Sequence, residues 1–336
     1  MSELSTEDRA ALEALDRLGE RAQALRERIA MVVIGQDEVI DGLLVSVFAQ
    51  GHALLEGVPG LAKTTLVRTV AHALGLPFSR IQFTPDMMPS DILGAEVLRT
   101  DAATGERSMA FVPGPIFSNV ILADEINRTP PKTQAALLEA MGEGQVSVGG
   151  TTRALEKPFW VVATQNPIEQ EGTYPLPEAQ LDRFMVSLRL GYPSADQERR
   201  IAALTDEIAH NMGVGEGGEA VFDGRELVGL RKTIGRVPVG GHVVDEAVRL
   251  VRLTRPDDPS CPEKVRRLIS WGAGPRASQA LVLGARCMAC LRGDPSPTVD
   301  DVRRLAPSVL RHRIVLSYAA TGEGRTPDRV VRALMG

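Results

Sequence analysis

The chain has 336 residues, room for about two domains of ordinary size. Apolar residues make up 43% and charged residues 24%, a balance that can bury a full core. Lys and Arg number 38 against 43 Asp and Glu, a net charge of −5, and only 4% of residues are aromatic. This argues against a protein that coats nucleic acid or an anionic membrane, or that stacks bases on rings.

The start, MSELSTEDRA, is polar and acidic, so no secretory signal is expected. No apolar run reaches the roughly 18 residues of a membrane span, so no membrane insertion is expected either. Residues 7–30 place Leu12, Leu15, Leu18, Ala22, Leu25 and Ile29 at steps of three and four, an amphipathic helix. A second helix runs from Asp37 to about Gln50. Then His52–Glu56 reads as a short strand, Gly57–Lys63 as a glycine-bearing loop and Thr64–Leu74 as a helix. Phe78–Phe83, Val120–Ala123, Phe159–Thr164 and Phe184–Leu190 have the length and apolarity of buried strands. Between them Pro131–Met141 reads as a helix, with Thr129 as its cap and Pro130 in its first turn. Strands alternating with helices predict a parallel sheet covered on both faces.

Two segments interrupt the alternation. Ala95–Arg99 and Glu106–Val112, joined by a turn at 101–105, read as one hairpin, and Gln145–Leu155 with Gly149-Gly150 as another. From about Pro193 the rest is expected to be helical, with breaks that include 213–218, so the domain boundary falls at 192/193. Cys261, Cys287 and Cys290 are an odd number of thiols, pointing to reduced cysteines in a cytoplasm. Cys287-Met-Ala-Cys290 has metal-like spacing, but it lacks a second pair and falls in a helical stretch, so it reads as structural.

The chemistry gathers at strand ends. Gly57-Val-Pro-Gly-Leu-Ala-Lys63-Thr64 joins a strand to a helix, so its N–H groups can point at phosphate oxygens. Lys63 supplies a mobile charge for the outer phosphates, and Thr64 can place its hydroxyl on Mg²⁺. The common pattern has Gly where Ala62 stands. By itself the segment also fits a plain strand-to-helix turn with an exposed lysine. Asp124-Glu125 closes an apolar strand, where Asp124 could hold Mg²⁺ through water and Glu125 could take a proton from an attacking water. Alone, the pair is a solvated acidic strand end. Asn166 follows another strand and could position that water, though Asn-Pro is also a turn signal. Arg183 and Arg276 could stabilise charge on a transferring γ-phosphoryl group, or form surface salt bridges.

These residues resemble the AAA+ ATPases, and within them the MoxR family, over nearly the whole chain from Val33-Ile-Gly-Gln36 to about Arg313. The motifs that carry the resemblance are Leu55–Thr64, Phe111–Phe117, Ala123–Arg128, Lys132–Met141, Ala163–Pro167, Leu176–Phe184 and Gly274–Ser278. Ala62 is no departure within MoxR proteins. The resemblance implies an αβα parallel-sheet P-loop core over 1–192 with N-terminal helices and two inserted β-hairpins, followed by an all-helical lid over 193–336. It implies that ATP is held by Ile34, Gly35, Gly57, Val58, Pro59, Gly60, Leu61, Ala62, Lys63, Thr64, Thr65, Asp124 and Arg276. Thr64 and, through water, Asp124 would hold Mg²⁺; Glu125, Asn166 and Arg183 would be catalytic, Arg183 acting on a neighbour's site. Arg128 is a looser candidate for facing a neighbour. A hexameric ring, a separate von Willebrand factor A-type partner and a chaperone-like role in maturing, assembling or metallating a client complex are further implications. The rival readings are a nucleic-acid motor, a magnesium-chelatase-like motor subunit and a nucleotide-gated scaffold.

Overall fold

The computed structural model describes residues 6–100, 105–167, 172–203 and 220–335, with side chains from residue 15 onward. Residues 101–104 of the hairpin turn expected at 101–105, and the break at 213–218, lie outside the described residues. By packing, the described residues form two units: one from those within 6–51, 184–188 and 226–335, the other from those within 52–183 and 189–225.

Nine short strands belong to the sheet and hairpins: β1 (Ala53–Glu56), β2 (Phe78–Gln82), β3 (Gly94–Thr100), β4 (Arg107–Pro113), β5 (Val120–Asp124), β6 (Gln145–Val148), β7 (Thr151–Ala154), β8 (Trp160–Gln165) and β9 (Val186–Arg189). The first α-helices in chain order are α1 (Thr6–Val32), α2 (Asp37–Phe48), α3 (Lys63–Ala73), α4 (Pro89–Leu93) and α5 (Pro131–Glu143). The central sheet has five strands in the order β2-β5-β8-β1-β9. The pairs β2–β5, β5–β8 and β8–β1 are all parallel, and β9 joins at the edge, where Leu190 N–H donates to the Glu56 carbonyl at 2.8 Å. Every residue of β5 is buried and so is β8 up to Thr164, as expected for strands covered on both faces. The register places Ala123 beside Ala163 and Ala163 beside Leu54, so β5, β8 and β1 end together on one rim.

The hairpins form as read. In β3–β4 Gly94 pairs with Pro113, and in β6–β7 the turn Gly149-Gly150 has φ of +58° and +79°, the left-handed backbone that glycine adopts freely. The Arg153 guanidinium of β7 lies 3.8 Å from the Phe111 ring centroid of β4, a cation–π contact between the hairpins.

Two expectations needed correction. β2 is an edge strand: Ser79 and Gln82 are half-buried and Arg80 is exposed, because among the described residues no strand pairs with its far side. Thr129 does not cap its helix; Pro130 takes the cap position and Pro131 the first helical one, and the Thr129 hydroxyl is buried without a partner among the described residues.

His52, beside β1, is buried with Nδ1 accepting from the Val161 N–H at 3.0 Å, which leaves Nε2 to donate to the Met141 carbonyl at 3.2 Å. Burial lowers its pKa to about 4. Between that value and an ordinary 6.5, the unfolded chain binds a proton there that the folded chain excludes. Stability is therefore expected to fall by about 3 kcal/mol as pH drops through that window. Urea midpoints at about pH 7 and about pH 5 check this: His52→Gln should lose less on acidification than the wild type, and equal losses would contradict it.

In the other unit, α1 (Thr6–Val32) buries Leu15, Leu18, Ala22, Leu25 and Ile29, the stripe read from the sequence, and packs on the helix Pro275–Arg292. The N-terminal helices thus group with helices more than 200 residues later rather than with the sheet. Buried Arg313 donates to the carbonyls of Phe184 at 2.7 Å and Met185 at 3.1 Å. Among the strands here, Ile269–Trp271 and Val315–Leu316 form a small antiparallel pair absent from the sequence reading. Cys287 and Cys290 are buried on Pro275–Arg292, and burial pushes both thiols up, Cys290 to about 11.

Candidate functional site

The loop after β1 begins at Gly57, which is buried with Leu190 beside it, so a side chain there would crowd Leu190. Gly60 has φ +86° and open space around it. Ala62 has φ +53° and is the cap residue of α3 (Lys63–Ala73). This conformation explains why glycine is common at this position, and it costs alanine about 1 kcal/mol. Lys63 turns back across the loop, and its Nζ donates to the Gly57 carbonyl at 2.7 Å. Behind it, Leu66, Val67, Val70 and Ala71 anchor α3 in the core.

On the same rim, Asp124 ends β5 and is buried. Its Oδ1 accepts from the Thr164 hydroxyl at 2.6 Å, and Oδ2 accepts from Arg80 Nε at 3.1 Å and Nη2 at 2.5 Å. Glu125 follows with φ +58°, a strained backbone for a side chain of its size. Its N–H donates to Thr164 Oγ1 at 2.9 Å, and its Oε2 accepts from Gln82 Nε2 at 2.8 Å. Gln82 Oε1 in turn accepts from Arg80 Nη2. Arg80, Asp124, Thr164, Glu125 and Gln82 thus form a closed ring of hydrogen bonds across β2, β5 and β8. Arg128 Nε also reaches Glu125, at 3.1 Å, within the same chain.

The turn after Glu125 is held from α5 (Pro131–Glu143). Buried Gln134 donates to the carbonyls of Ile126, Thr129 and Tyr174 at 3.0–3.2 Å. Asn166 is buried just past the end of β8. Arg183 is exposed, yet its Nη1 reaches the Leu138 carbonyl of α5 at 2.7 Å. Gly142 is what admits it, since a methyl group there would lie 2.1 Å from Nη1.

The structure therefore brings Asp124, Glu125 and Asn166 to the rim that also carries the loop Gly57–Lys63. Ile34, Gly35 and Arg276 belong to the other unit, where Gly35 has φ +78° and Arg276 sits in the first turn of Pro275–Arg292. Sequence reasoning missed Arg80, Gln82 and Thr164 as parts of the site. The signal for two of them was a charged and an amide residue alternating in a strand otherwise read as buried.

A phosphate-type loop after the first strand, an acidic end on a strand two places away and a helical unit define an AAA+ α/β core with a lid. The family described as "ATPase family associated with various cellular activities (AAA)" matches residues 52–186, and the AAA lid domain matches residues 263–334. Chaperone MoxR1 of Mycobacterium tuberculosis is 42% identical over 308 residues, covering 91% of this chain and 79% of that one. Protein MoxR of Methylorubrum extorquens is 33% identical over 310 residues, with 88% of each chain covered. A crystal structure from Cytophaga hutchinsonii superposes with a TM-score of 0.88 at 37% identity, covering 98% of both chains. The chain belongs to the MoxR family of AAA+ ATPases. Among the described residues, no helix is long and apolar enough to cross a membrane.

The donor chemistry fits a magnesium nucleotide. Mg²⁺ takes one or two carboxylates and shares the rest of its shell with phosphates and water, so Thr64 and Asp124 suffice. Ala62 has no side-chain oxygen to cap α3, so the first N–H groups of that helix are suited to an anion.

Proposed function

We propose that this protein binds ATP with Mg²⁺ and hydrolyses it. The observation that carries the reading is the alignment of β1, β5 and β8, which sets Asp124 and Glu125 on the rim from which the Gly57–Lys63 loop springs. Loop N–H groups from Gly57 to Thr65, with Val58, Pro59 and Leu61 shaping the turn, cradle the phosphates, and Lys63 leaves the Gly57 carbonyl to meet them. Thr64 and, through water, Asp124 would hold the ion, whose chemistry there would be to neutralise charge on the phosphate oxygens. Glu125 accepts the proton of the attacking water, and Asn166 orients that water. Ile34 and Gly35 contact the adenine.

Arg183 serves the site of a neighbouring copy, which requires a ring, taken as a hexamer. Arg276 senses the γ-phosphate from the lid, with 1–192 acting as core and 193–336 as lid. The ring works in a cytoplasm as a chaperone-like machine on a client complex, with a von Willebrand factor A-type protein as partner. The β3–β4 hairpin supports a protein client over nucleic acid: Leu98 is 59% and Met109 61% exposed, while its described cations are only Arg99 and Arg107.

Steady-state ATP hydrolysis by the purified chain tests the reading. Lys63→Ala is expected to lose both turnover and ATP binding. Wild-type rates in that variant would refute it.

A further inference from the structure

We propose that the Arg80 guanidinium is a resident cation on the Asp124 carboxylate that exchanges for the magnesium ion of the nucleotide, and so sets how much Mg²⁺ nucleotide binding requires. This rests on the reading of Asp124 as a magnesium-holding group.

The carboxylate is the limiting resource. Its Oδ2 accepts two N–H groups of Arg80, and its Oδ1 accepts the Thr164 hydroxyl. An oxygen with two lone pairs is filled by two donors, so at most one lone pair of Asp124 remains for a metal-bound water. A guanidinium and a divalent ion on one carboxylate also repel each other, so holding one weakens the hold on the other. The two partners differ in freedom. The Asp124 side chain is 10% exposed and is fixed by Thr164, whereas Arg80 is 44% exposed on the edge strand β2, with no strand among the described residues on its far side. Arg80 can swing outward; Asp124 must stay. Without metal, Arg80 keeps the buried carboxylate paired, which avoids the cost of an isolated charge there.

Two opposite effects follow when the charge of Arg80 is removed. Metal binding gains, because its competitor is gone. Metal-free nucleotide binding loses, because Asp124 then faces the phosphates with its charge uncompensated. A residue that merely props the strand would weaken both.

The experiment titrates Mg²⁺ into protein and a slowly hydrolysed fluorescent ATP analogue, and separately measures binding of that analogue in EDTA. In Arg80→Gln and Arg80→Ala, the Mg²⁺ needed for half-maximal binding is expected to fall about tenfold, the size of a one-charge effect on a divalent ion at a partly exposed site. Binding in EDTA should weaken. Arg80→Lys, which keeps the charge, should stay near the wild type in both. In the wild-type protein, mass spectrometry after an arginine-specific reagent should show Arg80 modified faster once Mg²⁺ and the analogue are present; this arm needs no variant to fold. An unchanged or raised Mg²⁺ requirement in the neutral variants, or unchanged Arg80 reactivity, overturns the exchange. If the wild type does not bind the analogue at saturating Mg²⁺, the reading of the site falls, and the exchange with it.

Discussion

Glu125→Gln is expected to lower ATP turnover by about 10²- to 10⁴-fold while leaving ATP binding intact, the loss typical of removing a positioned general base. The substitution keeps the shape and still offers an oxygen to Gln82 Nε2, so the ring across β2, β5 and β8 is preserved. What disappears is the carboxylate that would receive the proton, together with the charge that attracts Arg128 at 3.1 Å. In the proposed reading binding depends on the loop and Lys63, neither of which the change touches. Turnover and analogue binding measured on the same preparation separate the two roles. Near-normal turnover would remove Glu125 from the chemistry.

Arg183→Ala should have a comparable or larger effect, about 10³- to 10⁵-fold in turnover, because the proposed role supplies its guanidinium across an interface to charge that exists only in the transition state. Among the described residues the Arg183 side chain gives one hydrogen bond, to the Leu138 carbonyl, worth only about 1 kcal/mol, so the variant should stay folded. The arrangement can be tested by mixing. Arg183→Ala and Lys63→Ala are each expected to be inactive alone, but in the proposed ring a mixture would contain interfaces where an intact loop meets an intact arginine. Partial recovery on mixing is the expected result. Full activity of Arg183→Ala alone would contradict the assignment.

How much of this could be read beforehand depended on whether a feature is local along the chain. Asp124 ends a strand with Glu125 next to it, and Lys63 and Thr64 open the helix after the loop, each inside a short contiguous pattern, so their grouping near one rim of a parallel sheet could be expected from topology. The Gly149-Gly150 turn was legible because only a few residue types accept its backbone. Arg80, Gln82 and Thr164 were not, since their roles exist only through register: Gln82 faces Asp124 across β2–β5, a pairing that no local pattern states. The same reason hid the edge position of β2. Thr129 misled because a capping residue and a buried threonine beside Pro130-Pro131 look alike in one dimension. α1 was recognised as a helix by its apolar stripe, but the stripe does not say what covers it, and its partner is the helix Pro275–Arg292.

Calorimetric titration of ATP into the protein, with and without Mg²⁺, is the most direct test of whether Lys63, Thr64 and Asp124 meet around one magnesium nucleotide. The account predicts a saturable heat at about one ATP per chain, strengthened by Mg²⁺ and absent in Lys63→Ala. No heat with the wild type, or the same heat with Lys63→Ala, would contradict it.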